Sequence, residues 1–155
     1  MEDTTVALAT PADLSAVRAL LDRCGLPTGD LQATHLERFL VCRVGGQLAG
    51  TVGLEVLGSF GLLRSLAVAP EFRGRNLGHG LWTRLRDEAR GQGIRQLYLL
   101  TTTAEELFSA WGFGRVARDV VPDAVRATTE YSALCPSTAA VMTIDLTATP
   151  DQRVL

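Results

Sequence analysis

Val68-Ala69-Pro70-Glu71-Phe72-Arg73-Gly74-Arg75-Asn76-Leu77-Gly78-His79-Gly80 reads as an apolar strand end that breaks at a proline, crosses a basic glycine-bearing turn and enters an amphipathic helix. That is the anatomy of a pyrophosphate cradle. The first amides of a helix have no intrahelical acceptor and sit at the positive end of its macrodipole, so a turn without bulky side chains lets a phosphate reach them. Arg73 and Arg75 add charge, and the amides from Arg73 to Gly78 are the expected phosphate ligands, with His79 and Gly80 beside them. Asn76 is the non-glycine type that best tolerates a left-handed backbone. The bland alternative is a strand-to-helix turn with glycines for tightness and arginines for solubility. A Walker loop needs Gly-Lys followed by Ser or Thr, and a dinucleotide fingerprint needs Gly-x-Gly-x-x-Gly; neither pattern is present.

Upstream of the cradle, Val6–Ala9 predicts a strand, and Thr10-Pro11-Ala12-Asp13 has the cap, proline and acid of a helix start. Leu14, Val17, Leu21 and Cys24 then repeat at helical spacing until Gly25. Leu26–Glu37 carries Pro27, Gly29 and Asp30 and reads as a loop with a short helix. Phe39–Val44 and Gln47–Leu57 form a hairpin around Gly45-Gly46, which supply the positive φ angles of a tight turn. The apolar strand Leu62–Val68 follows, with Arg64 and Ser65 as its conspicuous polar members.

Downstream, Leu77, Leu81, Leu85 and Ala89 make the buried stripe of a helix that Gly91 and Gly93 end. Leu97–Leu100 is a strand, Ala104–Trp111 a short helix and Arg115–Arg118 a strand. Pro122 begins a helix through Tyr131, and Ala140–Leu146 closes with a last strand. The expected organisation is a single domain over 1–147 with a tail at 148–155.

At 155 residues and 46% hydrophobic content, the chain is long enough to bury a core. A net charge of −2 argues against nucleic acid or an anionic membrane as the main partner. No apolar run reaches the roughly 20 residues of a membrane span, and the start Met1-Glu2-Asp3-Thr4-Thr5 is unlike a signal peptide, so a cytoplasmic location is the default. Cys24, Cys42 and Cys135 fit reduced thiols better than a disulfide framework or a zinc site, so no metal is expected.

Arg73-Gly74-Arg75-Asn76-Leu77-Gly78 resembles the coenzyme A signature of the Gcn5-related N-acetyltransferase (GNAT) superfamily, with Asn76 where glycine is usual. The order β-α-(α)-β-β-β-α-β-α-β-(α)-β agrees. The resemblance implies an α/β fold whose central, twisted, mixed and mostly antiparallel sheet is flanked by helices, with acetyl-CoA as co-substrate. It also implies a pantetheine arm lying along the strand before the cradle, at the backbone of Leu66, Ala67 and Val68. The tyrosine that commonly serves as acid is replaced here by Phe108, which has no proton to give, and the usual asparagine by Thr101.

Leu63-Arg64-Ser65-Leu66-Ala67-Val68, Leu99-Leu100-Thr101-Thr102-Thr103-Ala104 and Phe108 resemble the amino-acid N-acetyltransferase branch. Gly53-Leu54-Glu55 and the segment from Arg126 to Cys135-Pro136 are similar to arsenic-resistance N-acetyltransferases. The implied acceptor is a small molecule with an α-amino group, extending to an arsenic-containing glutamate analogue such as arsinothricin. Its carboxylate suits a planar guanidinium, for which Arg64 is the first candidate and Arg126 the second; Ser65, Thr101 and Thr102 are further acceptor contacts. The alternative for Arg64 is an ion pair with Glu55. Glu55 is the candidate base, and Tyr131 and Cys135 are the candidate acids. Two other functions stay open: acetylation of a protein or peptide, and a non-catalytic acyl-CoA-binding regulator. An exposed final strand would also allow a homodimer.

Overall fold

The computed structural model describes residues 3–129, 131 and 138–147. Seven strands hydrogen-bond in the order β1-β2-β3-β4-β5-β7-β6: β1 Thr4–Leu8, β2 Phe39–Val44, β3 Gln47–Leu57, β4 Phe60–Val68, β5 Gln96–Thr101, β6 Gly114–Val116 and β7 Ala140–Asp145. The β1–β2, β2–β3, β5–β7 and β6–β7 pairs are antiparallel, and β4 pairs with β5 in parallel. A parallel pair needs a crossover of a dozen residues or more; helix α2, Leu77–Gly91, supplies it. The chain divides into two compact units, Met1–Glu55 with Leu63–Asp87 and Val56–Leu62 with Glu88–Leu155.

In the first unit, helix α1 (Leu14–Arg23) buries Val17, Leu20 and Leu21 against a core that includes Leu31, Leu36 and Phe39. The helix starts where the sequence signals it, through a 3-10 turn at Pro11–Asp13. Asp13 accepts the Thr10 backbone N–H at 2.8 Å and the Thr10 hydroxyl at 3.3 Å, and Arg43 donates to its other oxygen at 2.5 Å. These partners, the Thr10 amide first, hold the Asp13 carboxyl below its ordinary range against burial. Replacing Asp13 by alanine removes the cap and one half of the Arg43 pair. The expected cost is about 1 kcal/mol, read as a melting point lower by roughly 2–4 °C.

The hairpin has the predicted bounds, with Gly45 at φ +58° and Gly46 at φ +83°. Its register sets Phe39 opposite Gly53, and a Cβ on Gly53 would lie 2.3 Å from Phe39 Cε1. Glycine is therefore required there by the ring it faces. Helix α2 buries Leu81, Leu85 and Ala89 as its stripe predicts, and adds Trp82.

The second unit packs Leu62, Tyr98, Val121, Val125 and Val141. Helix α3, Glu105–Ala110, places Phe108 edge-on to Trp111 and Phe113, each with ring centroids 5.6 Å away. The helix predicted from Pro122 through Tyr131 is interrupted: one turn, α4, covers Asp123–Arg126, and helical backbone resumes at Thr129 and Tyr131. Thr128 lies at the interruption: its hydroxyl donates to Val125 O at 2.7 Å and accepts the Tyr131 amide at 3.3 Å. A threonine that satisfies backbone groups in this way competes with the helical ladder. No described helix is long and apolar enough to cross a membrane.

Candidate active site

The cradle is built by a change of backbone hand. After β4 the chain makes a 3-10 turn at Pro70–Phe72, and Gly74 (φ +86°) and Asn76 (φ +60°) then take left-handed conformations before α2 begins. Asn76 thus occupies the conformation its residue type tolerates. Gly80 N–H donates to Asn76 O at 3.1 Å, so the α2 amides ahead of it lie outside the helical ladder, whereas the expected ligand Arg73 N–H is already held by Pro70 O at 3.3 Å. A Cβ at Gly74 or at Gly80 would meet nothing within 4 Å, and His79 is exposed. The turn is open and glycine-lined, as an approaching pyrophosphate requires.

The two arginines of the turn are tied back to it. Arg73 Nε donates to Val68 O at 3.0 Å and its Nη2 lies 3.6 Å from Cys24 Sγ, while the Arg75 guanidinium stacks 5.3 Å from the Phe72 ring centroid. The Val68 carbonyl, part of the backbone expected to face a pantetheine arm, therefore already has a donor.

Inside β4, Ser65 adopts φ +60°, a left-handed residue within a strand. Such a residue is held by its surroundings, and here Arg64 Nε donates to Ser65 Oγ at 3.1 Å. The parallel pairing of β4 with β5 runs over Phe60–Leu62 against Gln96–Tyr98.

Arg64 is the most buried charge of the first unit, with a side-chain exposure of 0%. Its Nη1 and Nη2 face the two Asp30 oxygens at 2.5 and 2.8 Å, and Nη1 also reaches Glu55 Oε2 at 2.9 Å. The ion pair with Glu55 is thus present, and Asp30 joins it. Asp30 was legible only as a turn former beside Gly29; nothing in its spacing announces a partner 34 residues away. The Arg64 guanidinium, by hydrogen bond and by charge, holds the Asp30 carboxyl below its ordinary range, with burial opposing.

The remaining expected site residues fall in the second unit. Thr101 Oγ1 accepts the amides of Ala104 at 2.9 Å and Thr103 at 3.4 Å, closing the turn into α3, and Thr102 is exposed. Arg126 donates to Asp123 at 2.7 Å and stays half exposed. Arg118, unnoticed in the sequence, lies 5.2 Å from the Tyr131 ring centroid and donates to Ala139 O at 2.7 Å. Cys135 lies outside the described residues. Among the described residues no group of three or more His, Cys, Asp or Glu side chains could hold a metal ion.

The model of the acetyltransferase (GNAT) family matches residues 11–114. The chain belongs to that family. Among curated proteins it is 31% identical over 94 residues to an amino-acid acetyltransferase of Neisseria meningitidis, covering 59% of this chain and 22% of that protein. It is also 31% identical over 116 residues to an IAA acetyltransferase of Azospirillum brasilense, covering 65% of this chain and 75% of that one. The N-acetylglutamate synthase of Neisseria gonorrhoeae, solved with coenzyme A and N-acetyl-glutamate, superimposes with a TM-score of 0.81 at 24% identity, over 93% of this chain and 35% of that one. This last likeness speaks to the fold. The chain spans about a fifth of the first curated relatives' length.

Proposed function

We propose that the protein is an acetyl-CoA-dependent N-acetyltransferase acting on the α-amino group of a small amino acid or an analogue of one. The observation that carries this reading is the open turn at the N-terminus of α2, with Gly74 and Asn76 left-handed, in a chain of the acetyltransferase family. Relatives named amino-acid acetyltransferase support the acceptor class.

Acetyl-CoA supplies a thioester whose carbonyl an amine attacks and whose thiolate departs. The amides from Gly74 to Gly78 hold the pyrophosphate, since Arg73 N–H is held by Pro70 O, and the backbone at Leu66, Ala67 and Val68, just past the Ser65 kink, is the edge for the pantetheine arm. An α-ammonium group must lose a proton before its nitrogen is nucleophilic, and Glu55 takes that proton through a water. Tyr131 returns one to the thiolate from its phenolic oxygen. Phe108, packed between two aromatic rings, contributes no proton. Because Asp30 holds the buried Arg64 fork, whereas the Asp123 partner of Arg126 is exposed to exchange with a ligand carboxylate, Arg126 takes over as the anchor for the acceptor. The finer reading is an arsenic-containing glutamate analogue such as arsinothricin, supported by the likeness of the segment that starts at Arg126.

Incubation with acetyl-CoA and a panel of amino acids, a peptide amine and the arsenic analogue, followed by free-thiol release, tests this reading. Release is expected with amino-acid acceptors, fastest with the arsenic analogue. Release with the peptide alone would move the acceptor class. A melting point raised by coenzyme A with no release on any acceptor would leave a binding protein and sink the proposal.

A further inference from the structure

One guanidinium, Arg64, faces two carboxylates, with His35 also acting on Asp30 by charge. The two acids hold Arg64 differently. Asp30 meets it fork to fork, with one oxygen on each terminal nitrogen, the strongest carboxylate–guanidinium geometry. Glu55 touches only Nη1, through Oε2. Among the described residues no donor bonds Glu55 Oε1, and the Glu55 side chain is 21% exposed where Arg64 is fully covered. The result is a charged oxygen with a fixed neighbour, partial access and spare accepting capacity.

Asp30 also does not need Arg64 to stay in place. Leu31 beside it is fully buried, Arg18 donates to the Leu31 carbonyl, Leu31 N–H donates to Thr28 O at 3.0 Å, and Thr28 donates to Asp22 at 3.0 Å. The buried Leu31 side chain and three hydrogen bonds fix the loop independently of the ion pair. The bidentate contact is therefore more than a tether for the loop. Its second effect is on Glu55: a lone carboxylate beside a guanidinium takes both prongs, and Asp30 denies Glu55 the second.

We propose that Asp30 is a positioning residue for Glu55: by occupying the Arg64 fork, it keeps Glu55 Oε1 available to an alkylammonium group, the charged form in which an amino-acid acceptor arrives. The Glu55 carboxylate oxygen left open in this way favours cationic primary amines over alcohols and aryl amines. This inference rests on the N-acetyltransferase reading for the identity of the ammonium, and on the cluster geometry alone for the coupling between Asp30 and Glu55. Neutralising Asp30 draws Glu55 into bidentate pairing with Arg64, which costs the acceptor its oxygen without touching the cradle.

A double-mutant cycle on the full chain tests it, with Asp30→Asn, Glu55→Gln and the double variant assayed for acetyl transfer to an amino-acid acceptor. Glu55→Gln is expected to lower kcat/KM about 10²-fold, the lower end of what a positioned base supplies, and Asp30→Asn roughly tenfold or more. In the Glu55→Gln background, Asp30→Asn is expected to cost under about twofold, because residues acting as one unit are non-additive. Asp30→Glu is expected to recover part of the loss, and the acetyl-CoA KM to stay within about twofold throughout. Equal costs of Asp30→Asn in both backgrounds, or no cost in either, overturn the proposal. A second readout needs no turnover: the carbon-13 carboxyl signal of Glu55, assigned by its loss in Glu55→Gln, is expected to move in Asp30→Asn. An unmoved signal overturns the positioning role, whereas a moved signal in a protein that acetylates nothing supports that role and removes the acetyltransferase reading.

Discussion

Replacing Arg64 by methionine is expected to lower stability by about 3 kcal/mol, the low end of the 3–5 kcal/mol that follows when one member of a buried ion pair is removed. The side chain is of similar length, so little volume is lost; the cost lies in the carboxylates left behind. Asp30 and Glu55 are 12% and 21% exposed, so each recovers some hydration, which places the figure at the low end. For a chain of this length the melting point is expected to fall by roughly 6–12 °C. Arg64→Lys keeps the charge but loses the planar fork and the bond to Ser65, so it is expected to fall between the two. A methionine variant as stable as the parent would show that the ion pair does not hold this part of the first unit.

The same comparison has a pH signature whose sign follows from Asp30. Arg64 lowers the folded-state pKa of Asp30 below its unfolded value. The stability this confers is fully present above the unfolded value, near 3.9, and is lost as pH falls through the depressed folded value. Methionine at 64 removes the largest lowering influence on Asp30 and leaves burial opposed by a backbone hydrogen bond and the His35 charge, so the variant lacks most of that contribution at neutral pH and has less to lose in acid. The stability gap is expected to be widest at pH 7 and to narrow below about pH 4. Asp13, held low by Thr10 and Arg43, titrates alike in both proteins and cancels from the difference.

The elements that sequence made legible are those whose signals are local. Gly45-Gly46 fixes the hairpin because two adjacent positive φ angles admit little else, and the stripe Leu81, Leu85, Ala89 marks the buried face of α2 without reference to any partner. The cradle belongs with them, since a strand, a left-handed turn and a helix N-terminus are contiguous in the chain. Asp30 lies on the other side of that divide. Its partner is distant in sequence and on another element, and Gly29-Asp30 is an equally good turn. The kink at Ser65 was hidden for a related reason: serine carries no preference for a left-handed backbone, and the strand's apolar run masks the interruption. The break after α4 shows a local competitor inside a continuous pattern, because the Thr128 hydroxyl takes backbone groups on both sides of it before helical backbone resumes at Thr129.

Substituting valine at Gly74 is expected to raise the acetyl-CoA KM at least tenfold, about 1.4 kcal/mol, with a much smaller change in melting point. The separation comes from where the strain falls. Gly74 sits at φ +86°, a conformation that costs a β-branched residue of order 1–3 kcal/mol. A Cβ there meets nothing within 4 Å, so no core is disturbed and the exposed turn relieves the strain by rotating. Rotation re-aims the amides between Arg73 and Gly78, which act on a phosphate only if they converge. Asn76→Gly is the internal control: at φ +60° glycine is at least as comfortable as asparagine, so the acetyl-CoA KM is expected to stay within about twofold. Acetyl-CoA is the ligand that must respond, because the acceptor does not meet the pyrophosphate turn in this reading. A Gly74→Val protein with an unchanged acetyl-CoA KM would remove the turn from the binding site, whatever its effect on stability.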